Sequence, residues 1–261
     1  MTILLSIVTV VRNNGAGLSK TIQSCERLLA NPQVQLVIVD GASTDDTVDR
    51  LATLKASARD DRLMIVSEPD RGIYDAMNKG LRLAQGQHVI FMNAGDRFHE
   101  SFHLDLSTLQ KNTTYYGHAE FLSEASAFRK RYSIGGVHSF LSHNTFCHQA
   151  IFYPAAQLME LGGYDRSYEV SADFELTLRC FLRKQFRSLD IVVSVCELGG
   201  FSHVNGWRSY KDRVRSFRAH SQWRWWLVLK LYAPVFYVKH QGVKALDGTR
   251  LLSWYRSFRY R

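Results

Sequence analysis

Short runs of Val, Ile and Leu recur through the first third of this chain, with an amphipathic stretch between each run and the next. The apolar runs are Ile3 to Val11, Leu36 to Val39, Met64 to Val66 and His88 to Met92. The stretches with apolar residues at helical spacing are Leu18 to Ala30, Thr47 to Leu54, after an N-cap at Thr44 or Asp45, and Ile73 to Ala84. Buried strands that alternate with helices pair in parallel and carry helices on both faces. The pattern therefore predicts an α/β fold.

The second half of the chain has a weaker pattern. We expect short strands at Tyr115 to Gly117, His148 to Tyr153 and Ile191 to Val195, a loop at Gly135-Gly136, and a helix from Ala172 to Arg183. A length of 261 residues allows one large α/β domain with a short appendage. The four cysteines form no CxxC pair, which argues against a zinc site or a disulfide framework and indicates a reducing cytoplasm.

The two ends of the chain differ in charge and composition. The N-terminus is apolar but lacks the basic leader and cleavage site of a signal peptide. Residues 207–261 contain 13 Lys and Arg against two Asp, so they carry +11 of a net charge of +9, and the preceding residues carry −2. We therefore divide the chain into a domain at 1–206 and a basic, helical, aromatic extension at 207–261, which favours an anionic partner.

The extension favours three kinds of contact. Trp and Tyr interleaved with Lys and Arg are typical of a helix that lies on an anionic membrane surface, and no run reaches the ~18 apolar residues of a spanning helix. A helical hairpin that packs on the domain is the alternative. The same composition occurs in proteins that bind single-stranded RNA, but the carboxylate-rich, near-neutral remainder would repel phosphate, so we expect no nucleic acid.

Carboxylates follow two of the predicted strands. In open α/β sheets such positions bind ligands. Asp40, in Asp40-Gly41-Ala42-Ser43-Thr44-Asp45, is placed to accept a hydrogen bond from a base or ribose, or else belongs to an ordinary strand-to-helix turn. Asp96, in Asn93-Ala94-Gly95-Asp96, is a candidate ligand for a divalent cation facing a nucleotide diphosphate, with Asn93 on the sugar or a metal-bound water; the alternative is an Asx-turn.

Further candidates lie in the second half. Asp173, near the start of a predicted helix, is a candidate general base for an acceptor hydroxyl, or a residue that stabilises the helix dipole. His148 and Gln149 are candidates for contact with phosphate or acceptor, and His203 for an extra metal or phosphate contact; structural roles are the alternatives. Gly15-Ala16-Gly17 lacks the third glycine of a dinucleotide fingerprint, which excludes a Rossmann NAD site.

In this order and spacing, these segments resemble glycosyltransferase family 2, the inverting enzymes of the GT-A fold. The likeness runs from Leu4 to about Asn205, and within the family it is strongest to the enzymes of exopolysaccharide and O-antigen synthesis, such as colanic acid glycosyltransferases. It rests on Ser6 to Thr9, Val39 to Asp45, Ser67 to Gly80, Asn93 to Asp96, His148-Gln149, Gly162 to Asp165 and Ala172-Asp173.

The resemblance implies a GT-A fold, a Rossmann-like nucleotide-binding sheet with helices on both faces. It implies that Asp173 is the base, that Asp96 is the metal ligand for Mn²⁺ or Mg²⁺, and that His148 and Gln149 contact acceptor or phosphate. The residues implied to bind a UDP- or GDP-sugar are Thr9, Arg12, Asn13, Asp40, Ser43, Asp70, Arg71, Gly72, Asn78, Asn93, Ala94 and Gly95. The implied reaction is in-line displacement at the anomeric carbon by a saccharide or lipid-linked saccharide. The basic, aromatic extension predicts peripheral attachment to the inner face of the cell membrane, where a lipid-linked acceptor would be found.

The sequence departs from the family pattern at three positions. Gly41 replaces a second aspartate after the second strand, the metal motif has a single carboxylate, and Ala172 replaces the Glu that precedes the base. Two other functions stay open. A sugar nucleotidyltransferase shares the α/β plan, although Arg12-Asn13-Asn14-Gly15 is a poor version of its Gly-rich basic loop. An inactive relative that serves as a complex partner is the second.

Overall fold

The computed structural model describes residues 2–58, 60–123, 126–132, 137–141, 146–183, 185–197 and 205–245. The strands are β1 Leu5–Val11, β2 Val34–Asp40, β3 Leu63–Ser67, β4 His88–Phe91, β5 Arg97–Phe98, β6 Thr114–Ser123, β7 Ser126–Lys130, β8 Ile151–Pro154 and β9 Phe186–Glu197. The helices, numbered in chain order, are α1 Gly15–Leu29, α2 Thr47–Ser57, α3 Ile73–Leu83, α4 Ala155–Glu160, α5 Ala172–Phe181, α6 Gly206–Ala219 and α7 Trp223–Ala245. The predicted Gly135-Gly136 loop and His203 lie outside the described residues.

The first four strands form the parallel half of the sheet, as the alternating pattern predicts. Their spatial order is β3-β2-β1-β4, and β1 pairs in parallel with both β2 and β4. Every residue of β1, β2 and β4 is buried, which explains why these segments are continuous apolar runs. The carboxyl ends of these strands therefore place the loops after Val11, Asp40 and Phe91 at one edge.

The second half extends the same sheet with mixed pairing. β8 pairs antiparallel with β4 and β6, and β6 pairs in parallel with β9. The strand expected at Tyr115 to Gly117 is longer, since β6 continues to Ser123, and the strand expected at Ile191 to Val195 begins at Phe186. The extra residues mix polar with apolar side chains and contain no continuous apolar run, so the pattern underestimates both strands.

Two local predictions differ from the structure in detail. The strand expected from His148 begins only at Ile151, because His148–Ala150 forms a 3₁₀ turn. The N-cap of α2 is Asp46 rather than Thr44 or Asp45, and it makes no side-chain capping bond. Asp45 still contributes, because its carboxylate accepts a hydrogen bond from the Thr47 amide at 3.1 Å.

The two C-terminal helices pack against α5 through a second apolar core. Its buried members are Phe140, Phe174, Leu178, Tyr210, Phe217, Leu229 and Phe236. Phe174 of α5 and Phe217 of α6 meet with ring centroids 6.0 Å apart, and Tyr210 stacks on Phe236 of α7 at 4.3 Å. The helix pair expected as an alternative, one that lies on the domain, is therefore present.

The outer face of α7 is apolar and exposed. Every fourth residue from Trp223 to Val235 lies on it, with Leu231 exposed by 73% and Trp223 by 66%. Pro234 lies inside this helix. None of the helices in the described part of the chain has the length and apolar character needed to cross a bilayer.

Candidate active site

The loop after β2 surrounds a buried carboxylate. Asp40 is fully buried and accepts hydrogen bonds from the Ser43 amide and hydroxyl and from the Ser67 hydroxyl at 2.6 Å. The neighbouring Ala42 has a φ of 56°, a left-handed backbone conformation that residues other than Gly and Asn adopt only at an energetic cost. These bonds occupy Asp40 within the loop, so its predicted contact with a base or ribose stays a prediction.

Three strand ends meet beside this loop. A Cβ on Gly41 would lie 2.2 Å from Oδ2 of Asp70 and 3.3 Å from Cδ of Arg12, so these two side chains lie close against the Gly41 backbone. The Asn13 amide donates to the Ser43 hydroxyl at 2.8 Å. The structure thus brings together five of the predicted nucleotide contacts, and their contact with a nucleotide stays a prediction: Arg12, Asn13, Asp40, Ser43 and Asp70.

The loop after β4 is held by Thr21 of α1, a residue that sequence reasoning missed. Its buried hydroxyl donates to the Asp96 carbonyl at 2.6 Å and accepts from the Gly95 amide at 3.0 Å. Asn14 donates from its side chain to the Ala94 carbonyl at 3.2 Å. Gly95 has a φ of 107°, which requires glycine, and lets the chain turn back so that Asp96 faces the interior.

Asp96 lies in a desolvated position. Gln149 donates to its Oδ2 at 2.6 Å, and Cys147 donates to Gln149 at 2.9 Å. Burial raises the pKa of the Asp96 carboxyl despite the Gln149 hydrogen bond and the nearby His148. A neighbouring cation would reverse that effect, since it favours the ionised form.

The polar atoms near Asp96 fit a cation that takes few protein ligands. No group of three His, Cys, Asp or Glu side chains with metal-binding geometry occurs among the described residues. The buried Oδ1 of Asn93 and Oγ1 of Thr9 have no hydrogen-bond partner in the structure. Mg²⁺ commonly binds through one or two carboxylates together with substrate phosphates, and Asp96 with the Asn93 amide oxygen suits that mode.

Asp173 is the centre of a second polar group. Its Oδ2 lies 3.3 Å from Nδ1 of His148, and its Oδ1 lies 3.4 Å from the hydroxyl of Tyr74. The far ring nitrogen of His148 is 3.4 Å from the Asn93 amide. His148 therefore joins the predicted base to the loop that carries Asp96.

The Asp173–His148 pair sets the charge of both residues. Burial alone would raise the pKa of Asp173, but the hydrogen bond and charge of His148, with smaller effects of the Phe174 amide and Arg213, lower it. Burial would lower the pKa of His148, but Asp173 raises it. The side chains are only 25% and 13% exposed, so water screens the pair weakly. Asp173 is thus held as a carboxylate.

The C-terminal helices complete this group. A small cavity of about 50 Å³ is lined by Asp173, His148 and, from α6, Ser209 and Arg213. The Arg213 guanidinium lies over the Phe174 ring at 4.9 Å. Asp212, also on α6, accepts from the amides of Val170 and Ser171 at 3.0 and 3.1 Å, immediately before α5. Nothing in the charge pattern of residues 207–261 indicates these contacts.

One predicted donor contact has a different position. Asn78 of α3 binds the backbone of Tyr164 through both ends of its amide, at 2.8 Å each. It therefore anchors the segment before α5, and its predicted contact with the donor stays a prediction. Arg71 and Gly72 lie exposed at the start of α3, beside the Asp70 side chain.

Comparison with known proteins agrees with this geometry. The profile of Glycosyl transferase family 2 matches residues 6–117. A "PGL/p-HBAD biosynthesis glycosyltransferase" of Mycobacterium bovis is 32% identical over 215 residues, which cover 77% of this chain and 80% of that protein.

Solved structures share the fold at low sequence identity. The mannosyltransferase PcManGT from Pyrobaculum calidifontis, crystallised with GDP-Man and Mn²⁺, superimposes with a TM-score of 0.60 at 15% identity, over 99% of this chain and 79% of that one. S. aureus TarS with UDP-GlcNAc gives a TM-score of 0.59 at 13% identity, over 82% of this chain and 66% of that one.

The fold is that of the GT-A glycosyltransferases, with a parallel-rich sheet as predicted. The chain belongs to glycosyl transferase family 2, and it is a glycosyltransferase. The family assignment confirms the resemblance inferred from the sequence motifs and favours a glycosyltransferase over a sugar nucleotidyltransferase.

Proposed function

We propose that this enzyme transfers a sugar, with inversion, from a UDP- or GDP-sugar to a saccharide acceptor carried on a lipid. The product would belong to a bacterial surface polysaccharide or glycolipid. One observation carries the proposal: Asp173, held as a carboxylate by His148, lies in a cavity next to the loop that bears Asp96. A base and a diphosphate site side by side are what displacement at an anomeric carbon needs.

The nucleotide would bind along the strand ends at Arg12, Asp40 and Asp70. Asp70 and Arg12 both lie close to the Gly41 backbone, so the three strand ends present these side chains at one edge. Named relatives support this class of donor, because TarS was solved with UDP-GlcNAc and PcManGT with GDP-Man. The remaining members of the proposed donor set are Thr9, Asn13, Ser43, Arg71, Gly72, Asn78, Asn93, Ala94 and Gly95.

Asp96 would hold Mn²⁺ or Mg²⁺ together with the diphosphate. The ion's chemistry would be to neutralise charge that develops on the leaving phosphate. Support comes from the raised pKa of the buried Asp96 carboxyl and from PcManGT, which was crystallised with Mn²⁺. His148 would orient the base Asp173, and Gln149 would orient the metal ligand Asp96. Both residues would therefore lie beside the acceptor and the phosphate.

Asp173 would accept the proton of the attacking hydroxyl. A lone pair of the hydroxyl oxygen forms the new bond to the anomeric carbon while the bond to the diphosphate oxygen breaks and its electrons leave with the diphosphate, which inverts the configuration. General-base assistance of this kind contributes typically ~10²–10⁴-fold to the rate. The lowered pKa of Asp173 keeps the carboxylate available at neutral pH.

A panel of UDP- and GDP-sugars tests the donor proposal. We expect one nucleotide sugar to raise the Tm in the presence of Mn²⁺. At 100 times its Kd the ligand should add ~2.7 kcal/mol to the free energy of unfolding. Asp96→Ala should abolish the metal-dependent part, and Asp173→Asn should keep the shift but lose transfer. A shift that is equal with and without Mn²⁺, or that survives in Asp96→Ala, contradicts the metal site.

The lipid-linked acceptor implies a membrane surface, and α7 offers the contact. We propose that 207–261 acts as an extension of the catalytic domain at 1–206 and lies on the anionic cytoplasmic face of the cell membrane. The apolar outer face of α7, from Trp223 to Val235, is exposed. The exposed basic side chains on the same helix pair include Arg208, Lys211, Arg224 and Lys230. Each adds about 1 kcal/mol near an anionic surface.

Vesicle flotation tests this surface. The full chain should float with vesicles that contain phosphatidylglycerol and less with phosphatidylcholine alone, and salt should weaken the binding. Leu231→Ser should reduce flotation, because the residue is 73% exposed, whereas Val48→Ser, at a 48% exposed site on α2, should not. Equal flotation of both variants with the wild type would contradict a role for α7.

A further inference from the structure

Two of the four cysteines meet beside the loop that bears Asp96. The sulfurs of Cys147 and Cys196 lie 3.3 Å apart, although the residues are 49 positions apart in the chain. Cys147 precedes the 3₁₀ turn His148–Ala150, and Cys196 lies near the end of β9. Both thiols are free, and the two residues are only 7% and 4% exposed. The fold therefore places a reduced, buried thiol pair next to the proposed metal ligand.

Both thiols take part in the hydrogen-bond network around Asp96. Cys147 donates to Oε1 of Gln149 at 2.9 Å, and Nε2 of Gln149 donates to Oδ2 of Asp96 at 2.6 Å. The Cys196 thiol also forms a hydrogen bond with the Asp96 carboxyl. A disulfide contains no S–H group, so it can donate to neither partner. Oxidation of this pair would therefore remove hydrogen bonds on which the position of Asp96 depends.

The geometry of the pair suits a disulfide. An S–S bond is about 2.05 Å long, so the two sulfurs have to approach each other by about 1.3 Å from their separation of 3.3 Å. Cys147 lies outside the strands, immediately before a 3₁₀ turn of three residues, so it can move without breaking a strand pair. In a reducing compartment such a disulfide is usually transient and senses the redox state.

Cys147 is the cysteine best suited to react with an oxidant. Burial alone would raise the pKa of its thiol, but the hydrogen bond from Cys196 and the charge of His148 lower it below its ordinary value. Burial raises the pKa of the Cys25 and Cys180 thiols to about 12, which keeps both protonated at neutral pH. Because the thiolate is the form that attacks an oxidant, Cys147 is the more reactive thiol.

The oxidation balances with a peroxide as the oxidant. The Cys147 thiolate attacks one peroxide oxygen, the O–O bond breaks, and the departing hydroxide takes up the proton that Cys147 released, which gives water. The sulfur of Cys196 then attacks the sulfenic acid on Cys147, the S–O bond breaks, and the Cys196 proton leaves with that oxygen as a second water. The two thiols lose two electrons, which reduce one hydrogen peroxide to two water molecules.

We propose that Cys147 and Cys196 form a redox-sensitive site, at which a peroxide makes a reversible disulfide and thereby weakens the Mn²⁺-dependent binding of the donor. The disulfide itself follows from the geometry of the pair, whereas its effect on the donor rests on the proposed function of Asp96. Reduction by a small thiol restores the two S–H groups and their hydrogen bonds. Sugar transfer would thus fall while peroxide is present and recover afterwards.

The test treats the full chain with hydrogen peroxide, removes the reagent, and maps disulfides by mass spectrometry of peptides prepared without reduction. We expect a crosslink between Cys147 and Cys196 that dithiothreitol reverses. Titration calorimetry with Mn²⁺ and the panel of UDP- and GDP-sugars, UDP-GlcNAc and GDP-Man among them, measures the donor Kd before and after oxidation. Binding should weaken at least tenfold on oxidation, and dithiothreitol should return the Kd to within twofold of its starting value.

Two variants separate this site from general oxidation of the protein. Cys196→Ser cannot form the crosslink but keeps a hydroxyl donor near Asp96, so peroxide should leave its donor Kd within twofold of the untreated variant. Cys25→Ala/Cys180→Ala keeps the pair and removes the other two thiols, so it should respond to peroxide as the wild type does.

Three results would overturn the inference: no crosslink between Cys147 and Cys196, a crosslink that leaves the donor Kd unchanged, or an equal loss of affinity in oxidised Cys196→Ser. A crosslink in a protein whose reduced form binds no nucleotide sugar would support the disulfide and refute the proposed function. The failure of the proposed function is thereby distinguishable from the failure of the redox site.

Discussion

The substitution Phe217→Ala tests whether the C-terminal helices are part of the catalytic fold. Phe217 of α6 is fully buried and meets Phe174, the residue after the proposed base. Truncation of a buried Phe to Ala costs about 3–5 kcal/mol, which combines lost burial with the cavity left behind. A domain has only about 5–15 kcal/mol of stability in total, so the expected loss is large.

The tryptophans make the measurement selective. All five lie after residue 206, so tryptophan fluorescence reports on the C-terminal part of the chain, whereas far-UV circular dichroism reports on the whole protein. In urea the two signals should give one coincident transition in the wild type, because the second core joins α6 and α7 to α5. Phe217→Ala should move both midpoints together to lower urea.

The control is Tyr232→Ala on α7, an aromatic residue exposed by 41%. Its free energy of unfolding should stay within about 0.5 kcal/mol of the wild type, as is usual for surface positions. A Phe217→Ala protein in which fluorescence changes at low urea while the circular dichroism transition stays in place would refute the reasoning. The helices would then be an appendage that unfolds by itself.

Three further predictions concern the site. His148→Gln should move the acid limb of the pH profile of kcat/KM to higher pH, because His148 lowers the pKa of Asp173. The contribution of this lowered pKa to folding stability is lost as the pH falls. An acid limb that does not move would contradict the pairing. Arg213 lines the cavity around Asp173, so Arg213→Met should lower kcat/KM about tenfold in steady-state kinetics, equivalent to about 1.4 kcal/mol. Arg218 is exposed on the same helix, and Arg218→Met should leave kcat/KM unchanged. Thr21→Val removes the hydrogen bonds that hold the loop after β4, so titration calorimetry should show weaker Mn²⁺-dependent binding of the donor. An unchanged affinity would mean that backbone turns alone hold this loop in place.

The sequence is informative where a single chain segment contains the whole signal. Buried parallel strands such as β1 and β2 are continuous β-branched runs, and the polar residues after them mark the edge at which Asp40 and Asp96 lie. The grouping of Arg12 with Asp70 follows from the same rule, because the ends of adjacent parallel strands meet.

The rest of the site depends on packing between distant segments. The contact of His148 with Asp173 depends on how β8 inserts beside β4, and the role of Thr21 depends on how α1 packs against the loop after β4. No periodicity encodes either pairing. Arg213 is one of 13 basic residues in 207–261, and its sequence context is that of a solvated charge. The role of Asn78 also cannot be read from the sequence, because its side-chain amide can bind either a ligand or the backbone of a distant segment such as Tyr164.

The place of Arg213 in the cavity has a consequence for the nascent chain. Proteins emerge from the ribosome N-terminus first, at about 5–20 residues per second. The parallel half of the sheet is complete once β4 has emerged, so the nucleotide edge can form early in synthesis. The cavity around Asp173 needs α6, which in turn is covered by α7. With the proposed site residues, the growing chain would acquire its donor edge well before Asp173 is enclosed, and transfer would have to wait for α6 and α7.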